Sequence, residues 1–307
     1  MEFIEDIIDK YKRKQALKKI TKGLGKITED ETTIYCHVNE KKFKKKCNYG
    51  NVYGFNLSHK WVYIYNNVYS LRKNIVYIFD GISFYKPLTV FMSSPEGTHN
   101  YIKFKNCTFS ERITINEAEN VEFINNRSLN HMTKFLVKKG VNNLKFINDK
   151  TLTSTAFSNI TYIDINCDTL EIYNTDFDSD SQKISVKTLI LKDSYIYGYD
   201  KMEITADQML LENSEINSLF EIKLNTKECN NLSSIKADDI IYKGLYLCEH
   251  NNSYEEIDKL VSARQSLVDT LATIKVAEET YQKEELSRYK KDLQNSPLTR
   301  RLTKKNT

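Results

Sequence analysis

The chain has 307 residues, of which 40% are hydrophobic and 28% charged, and a formal net charge of +4. That balance is too apolar for wholesale disorder and too evenly charged for a membrane protein, and no run reaches the roughly 18 consecutive apolar residues of a spanning helix. Only three Pro and nine Gly argue against a loop-rich architecture and predict long regular elements.

Residues 1–30 predict an amphipathic capping helix, with Ile4, Ile7, Ile8 and Tyr11 on one face and Lys10, Lys12, Arg13 and Lys14 around the rest. Such a helix covers the open end of a repeat stack. The run Lys41-Lys42-Phe43-Lys44-Lys45-Lys46 reads as a solvated stretch of charge. Residues 1–50 carry +5 and residues 251–307 carry +2, which leaves −3 for the middle. A middle of that sign is not a nucleic-acid-binding surface, and nucleic acid is not an expected partner.

One short pattern, apolar-x-apolar-x-Asn/Asp, recurs along the middle of the chain. Its matches are Val62/Ile64/Asn66, Val76/Ile78/Asp80, Ile102/Phe104/Asn106, Val121/Phe123/Asn125, Leu144/Phe146/Asn148, Leu170/Ile172/Asn174, Leu189/Leu191/Asp193 and Met209/Leu211/Asn213. Period-two alternation makes each match a strand with both apolar residues on one side. The Asn or Asp shares that parity, so it is expected to begin inside and to stack with its neighbours in a ladder. A second alternating set lies between the matches: Ile113/Ile115, Phe135/Val137, Ile163/Ile165, Ile184/Val186, Met202/Ile204 and Ile222/Leu224. A unit of about 21 residues with two or more short strands predicts an all-β solenoid over residues 31–250. A leucine-rich repeat has a similar period, but its Asn falls one residue later and it needs a helical segment per repeat that these β-branched stretches do not supply. The pattern resembles the right-handed parallel β-helix, with its inward aliphatic stacks and Asn ladders.

Residues 251–296 predict a long C-terminal helix. Ser253 and Glu256 form a capping box, Ile257, Leu260, Leu267, Leu271 and Ile274 make an apolar seam interrupted by Arg264, and Pro297 ends the pattern before a basic tail at 297–307. That seam is the expected assembly element, for self-association or for a protein partner.

Two candidate sites follow from the alternation. If the aliphatic pairs face inward, Trp61, Tyr63, Tyr65, Tyr77 and Phe79 face outward as an aromatic patch suited to a protein or to sugar rings. Asp176, Asp178 and Asp180 alternate as at the start of an EF-hand loop, but the Gly and the distal Glu of that loop are missing. Asn174-Thr175-Asp176 with Asp238-Asp239 resembles the motifs of polygalacturonase-like β-helices, without their Gly-His-Gly and Arg-Ile-Lys companions. Two carboxylates must lie within roughly 5–9.5 Å to share a glycosidic bond, and coils this far apart do not bring them there. Six cysteines without a CxxC pair or zinc-ligand spacing read as reduced, buried thiols, and no metal or other cofactor is expected. The expected protein is a non-enzymatic scaffold acting through protein–protein contacts, cytoplasmic or part of a virion, with a carbohydrate-binding or carbohydrate-processing β-helix as the alternative.

Overall fold

The computed structural model describes residues 2–20, 24–49, 52–58, 73–93, 99–128, 134–153, 160–242, 245–247 and 254–295. They fall into two units, Met1–Cys248 and Glu249–Thr307. The first unit is mostly β, with a large and mainly parallel sheet, an arrangement compatible with a solenoid. Of the second, the structure describes residues 254–295.

Each length of chain from Leu88 onward returns to lie parallel over the one before it, 18 to 28 positions later, and so forms a rung. A rung contributes up to three paired stretches. The first holds Leu88, Ile113, Phe135, Ile163, Gln182, Met202, Ile222 and Ile240 in one column. The second aligns Phe79, Phe104, Phe123, Phe146, Ile172, Leu191 and Leu211. The third aligns Phe84 with Phe109 and, further on, Phe177, Ile196, Ile216 and Ile235. The longer strands, Asp176–Lys192 and Tyr195–Glu212, each run through all three stretches.

The core follows from this register. Alternate residues point inward and meet the equivalent residue of the next rung at the strand spacing of about 4.8 Å. Phe79, Phe104, Phe123 and Phe146 therefore stack with centroids 5.1, 5.0 and 4.9 Å apart. Each is buried, worth roughly 1.5–3 kcal/mol of transfer free energy per ring.

The corners correct the expected Asn ladder. Asn106, Asn125, Asn148, Asn174, Asp193 and Asn213 all take the left-handed conformation, with φ between 44 and 52°. Asn and Asp tolerate that conformation better than other side chains. A left-handed residue breaks the period-two alternation, so these six side chains point out to solvent and the residue after each turns inward. The inward residues are Cys107, Asn126, Asp149, Thr175, Ser194 and Ser214, and they form the ladder that joins the rungs. The Cys107 N–H donates to Asn126 Oδ1 (2.8 Å), and the Asn126 N–H and Nδ2 both donate to Asp149 Oδ2 (2.9 and 2.7 Å). The Asp149, Thr175 and Ser194 N–H groups donate in turn to Thr175 Oγ1 (3.0 Å), Ser194 Oγ (3.2 Å) and Ser214 Oγ (3.1 Å). At each of these turns an inward N–H needs an acceptor, and a short polar side chain from the next rung supplies it. Outside, the corner residues make a looser row, with Asn106 Nδ2 donating to Asp80 (2.9 Å) and Asn174 Nδ2 to Asn148 (2.6 Å).

The N-terminal end is closed by elements other than the expected ones. Helix α1 (Glu2–Ile20) forms, but Ile4, Ile7, Ile8 and Tyr11, the side chains expected to cover the stack, are exposed. Strand β1 (Gly25–Glu29) instead pairs antiparallel with β2 (Thr33–Val38) along the sheet edge. The approach is close enough that a Cβ on Gly25 would fall 1.6 Å from the His37 carbonyl oxygen. Helix α2 (Glu40–Cys47) follows β2 and contains the lysine run. Its Phe43 is 1% exposed and packs edge-on against Phe79 and Phe84, at 5.3 and 5.4 Å. The lysines are therefore the solvated side of a plug whose apolar residue completes the aromatic core. At the other end Leu245–Leu247 pairs antiparallel with Asp239–Tyr242. Antiparallel strands at both ends blunt edges that would otherwise template further pairing.

Candidate binding surface

Two members of the expected aromatic patch, Tyr77 and Phe79, lie inside the stack and not on its surface. Trp61, Tyr63 and Tyr65 lie outside the described residues. Tyr77 and Phe79 are fully buried, in register with Ile102 and Phe104. The inward frame of this rung is Tyr77/Phe79 followed by Gly81 at the left-handed corner (φ 67°), one residue out of step with Val76/Ile78/Asp80. Gly at the corner hid the frame from a pattern that looks for Asn or Asp.

Another aromatic surface takes its place, on the outward side of the third stretch. In Tyr195-Ile196-Tyr197-Gly198-Tyr199 the inward positions are Ile196 and Gly198, so the three tyrosines face out. The Tyr195 and Tyr197 rings lie nearly parallel at 6.0 Å, and Tyr199 stands edge-on to Tyr197 at 4.8 Å. Tyr199 is 45% exposed, and Leu219 and Phe220 are exposed beside the end of the same stretch one rung on.

Carboxylates border this row. Asp176 sits opposite Tyr195 and Asp178 opposite Tyr197, while Phe177 and Ser179 between them point inward. On the far side Glu215 pairs with Tyr195 and Asn217 with Tyr197. Lys236 bonds Glu215 at 2.5 Å. Burial pushes the Asp178 carboxyl above the ordinary range, and the charges of Asp180 and Asp176 add to the effect. Asp178 in turn does most to raise the Tyr199 hydroxyl, with burial, Tyr197 and Asp180 contributing less. The acids and the tyrosines thus form one electrostatically connected group.

On the first and second stretches, as at Glu215 and Lys236 on the third, outward acids meet lysines across adjacent rungs: Lys103 with Glu122 (2.9 Å), Lys145 with Glu171 (2.7 Å), Lys192 with Glu212 (2.7 Å) and Lys183 with Glu203 (3.6 Å). Cross-strand pairs of this kind are the ordinary way to match charge on a sheet. At Asp176 and Asp178 the register places tyrosines where lysines stand elsewhere.

A groove of about 560 Å³ adjoins the tyrosine row at the corner, walled by Asp176, Tyr195, Asn213, Glu215, Ser233 and Lys236 among others. Its lining is mostly amide, hydroxyl and carboxylate, with one aromatic ring.

Asp176, Asp178 and Asp180 do share the outward side, but among the described residues no group of three or more His, Cys, Asp or Glu is arranged to hold a metal ion. Asp239 lies three rungs beyond Ser181 in register, about 14 Å at the strand spacing, too far to share a glycosidic bond with the Asp176–Asp180 group. Cys36, Cys107 and Cys167 are free and buried, and burial pushes each thiol up to about 12. The side chains of Ile257, Leu260, Leu267, Leu271 and Ile274 lie outside the described set. Among the described residues no helix is long and apolar enough to cross a membrane. No protein-family model, no curated protein and no solved structure matches this chain.

Proposed function

We propose that the stacked rungs are a right-handed parallel β-helix serving as a non-enzymatic binding scaffold, which takes a protein partner on the outward side of its third stretch. The hand is the one that crossovers between parallel strands overwhelmingly adopt. The carrying observation is the outward row of Tyr195, Tyr197 and Tyr199, bordered by Asp176 and Asp178 on one adjoining rung and by Glu215 on the other. Surface tyrosines offer large, rigid contact area at low entropic cost and are enriched where proteins bind. Acids held beside one another cost stability, and such cost is characteristic of surfaces kept for function. The helix Tyr254–Asn295, with exposed Val268, Val276, Tyr281 and Leu286, is a second attachment element, for self-association or for another protein.

The polar groove favours a second reading, a carbohydrate ligand, because hydroxyls, amides and carboxylates beside a tyrosine ring suit a sugar. One experiment separates the two. A random peptide library and a glycan array are screened against the immobilised full chain, with the Tyr195→Ser/Tyr197→Ser/Tyr199→Ser variant as counter-screen. Peptide ligands lost on the variant support the protein-binding scaffold, and glycans lost on it transfer the assignment to carbohydrate. Ligands retained equally by the variant, or none at all, overturn both.

A further inference from the structure

We propose that the N-terminal end of the stack binds the phosphate backbone of a nucleic acid on the lysine face of α2. This face shares no residue with the tyrosine row and is independent of it.

The plug holds the face rigid. The Asn39 N–H donates to the Leu24 carbonyl (2.8 Å), and Asn39 Oδ1 accepts the Lys42 N–H (3.2 Å), so the start of α2 is capped and tied to the end of the stack. Phe43, 1% exposed, pins the middle of the helix into the aromatic core. At 3.6 residues per turn, Lys41 and Lys45 then fall opposite Phe43, with Lys42 beside them. All three are exposed. A bland run of charge in the sequence thus becomes a face of fixed spacing, and a preformed face lowers the ordering cost of binding.

The charge on this face is uncompensated. The one acid of α2, Glu40, bonds Lys44 at 2.7 Å, and Lys44 Nζ lies 5.5 Å from the Tyr85 ring centroid. Among the described residues no ion pair engages Lys41, Lys42 or Lys45. The nearby β1–β2 hairpin keeps its acids at the far end, where Glu29 bonds Lys73 (3.4 Å) and Asp30 accepts from Tyr35 (2.9 Å). Exposed lysines on the rungs are matched instead, as Lys187 is by Asp168 (2.9 Å) and Lys227 by Asp207 (2.7 Å).

Charge density selects the ligand. The eight residues of α2 span about 12 Å, a length over which a duplex carries about seven phosphates and an extended acidic peptide about four carboxylates on its two sides together. The denser polyanion releases more counterions when lysines neutralise it, so the same face gains more from a nucleic acid. Lysine is a compact point charge that serves phosphates without the fork geometry of arginine, and phosphate contacts carry no sequence information. Binding to α2 is therefore indifferent to base order.

The test is fluorescence anisotropy of the full chain with two labelled DNA duplexes of about 20 base pairs and unrelated sequence. Lys41→Gln/Lys42→Gln/Lys45→Gln is compared with Lys183→Gln/Lys187→Gln/Lys227→Gln, which removes the same charge from the rungs, after unfolding curves show that both variants fold. The native chain should bind both duplexes alike at about 0.05 M salt, and the α2 variant should lose about tenfold while the rung variant stays within about twofold. The slope of log affinity against log salt should become shallower by about 2–3 in the α2 variant alone. No binding by the native chain overturns the proposal, and so does an equal loss in the two variants, which is attraction to net charge alone. A polyglutamate peptide that binds as tightly as the duplexes, and is lost on the α2 variant, hands the face to an acidic protein and overturns nucleic acid as its ligand.

Discussion

The outward sides of the second and third stretches are built on the same backbone and carry different side chains. On the second, an acid of one rung meets a lysine of its neighbour, as in Lys145–Glu171 and Lys192–Glu212. On the third, Asp176 and Asp178 meet Tyr195 and Tyr197. The interior beneath is alike in both, columns of Phe, Ile and Leu at the strand spacing. A parallel stack therefore fixes its stability inside and at its corners, and leaves its outward sides free to differ in the side chains they carry.

The interior sets the scale against which the two surfaces are compared. Phe123→Ala, at the centre of the ring stack and fully buried, should lower unfolding free energy by about 3–5 kcal/mol in denaturant titration. Asn126→Leu should cost about 3 kcal/mol, because it strands the Cys107 N–H and the Phe104 carbonyl and removes the Nδ2 bond to Asp149. The corner residue one position earlier in its rung behaves differently. Asn174→Leu should cost about 1–2 kcal/mol and Asn174→Gly close to nothing, since φ 44° is strained for leucine and open to glycine. A glycine variant as damaged as the leucine one would restore the inward ladder that the sequence pattern suggests.

The surface substitutions are smaller and should differ in sign. Lys192→Ala breaks an exposed pair on the second stretch and should be neutral to slightly destabilising. Asp178→Asn on the third stretch should be slightly stabilising at neutral pH. Its folded-state pKa is raised, so the acid adds stability below its unfolded value and loses it as pH rises through the folded one. The gain of the Asn variant over the native chain should therefore be present at pH 7 and vanish at pH 3, followed by thermal unfolding at both. A variant less stable than the native chain at pH 7 would mean that Asp178 is structural.

The sequence revealed the repeat because hydrophobic alternation survives wherever a strand is regular. Ile102/Phe104 through Met209/Leu211, and the second set from Ile113/Ile115 to Ile222/Leu224, are buried in register. It misled where backbone conformation changes parity. Counting by two carries a strand pattern straight through Asn106 or Asn174, whereas a left-handed residue turns the next side chain inward. The signal for the true ladder was the short polar or thiol residue after each Asn or Asp, from Cys107 to Ser214. At Tyr77 and Phe79 both frames are apolar, and only pairing with Ile102 and Phe104 decides between them. The tyrosine row was hidden by Gly198, which breaks the look of a strand. Its signal was a pair of matched alternations, Asp176/Asp178 and Tyr195/Tyr197, one rung of 19 residues apart. Phe43 was hidden among lysines, because a lone aromatic in a charge run gives no hint of what it plugs.

The most direct test of a binding role for the third stretch is hydroxyl-radical footprinting of the full chain with and without a selected ligand, read by mass spectrometry at single side chains. Tyr199, 45% exposed, should become protected together with Tyr197 and Leu219, while Leu210 on the second stretch, 48% exposed, keeps its reactivity. Protection at Leu210 with Tyr199 unchanged would place the ligand elsewhere and contradict the account.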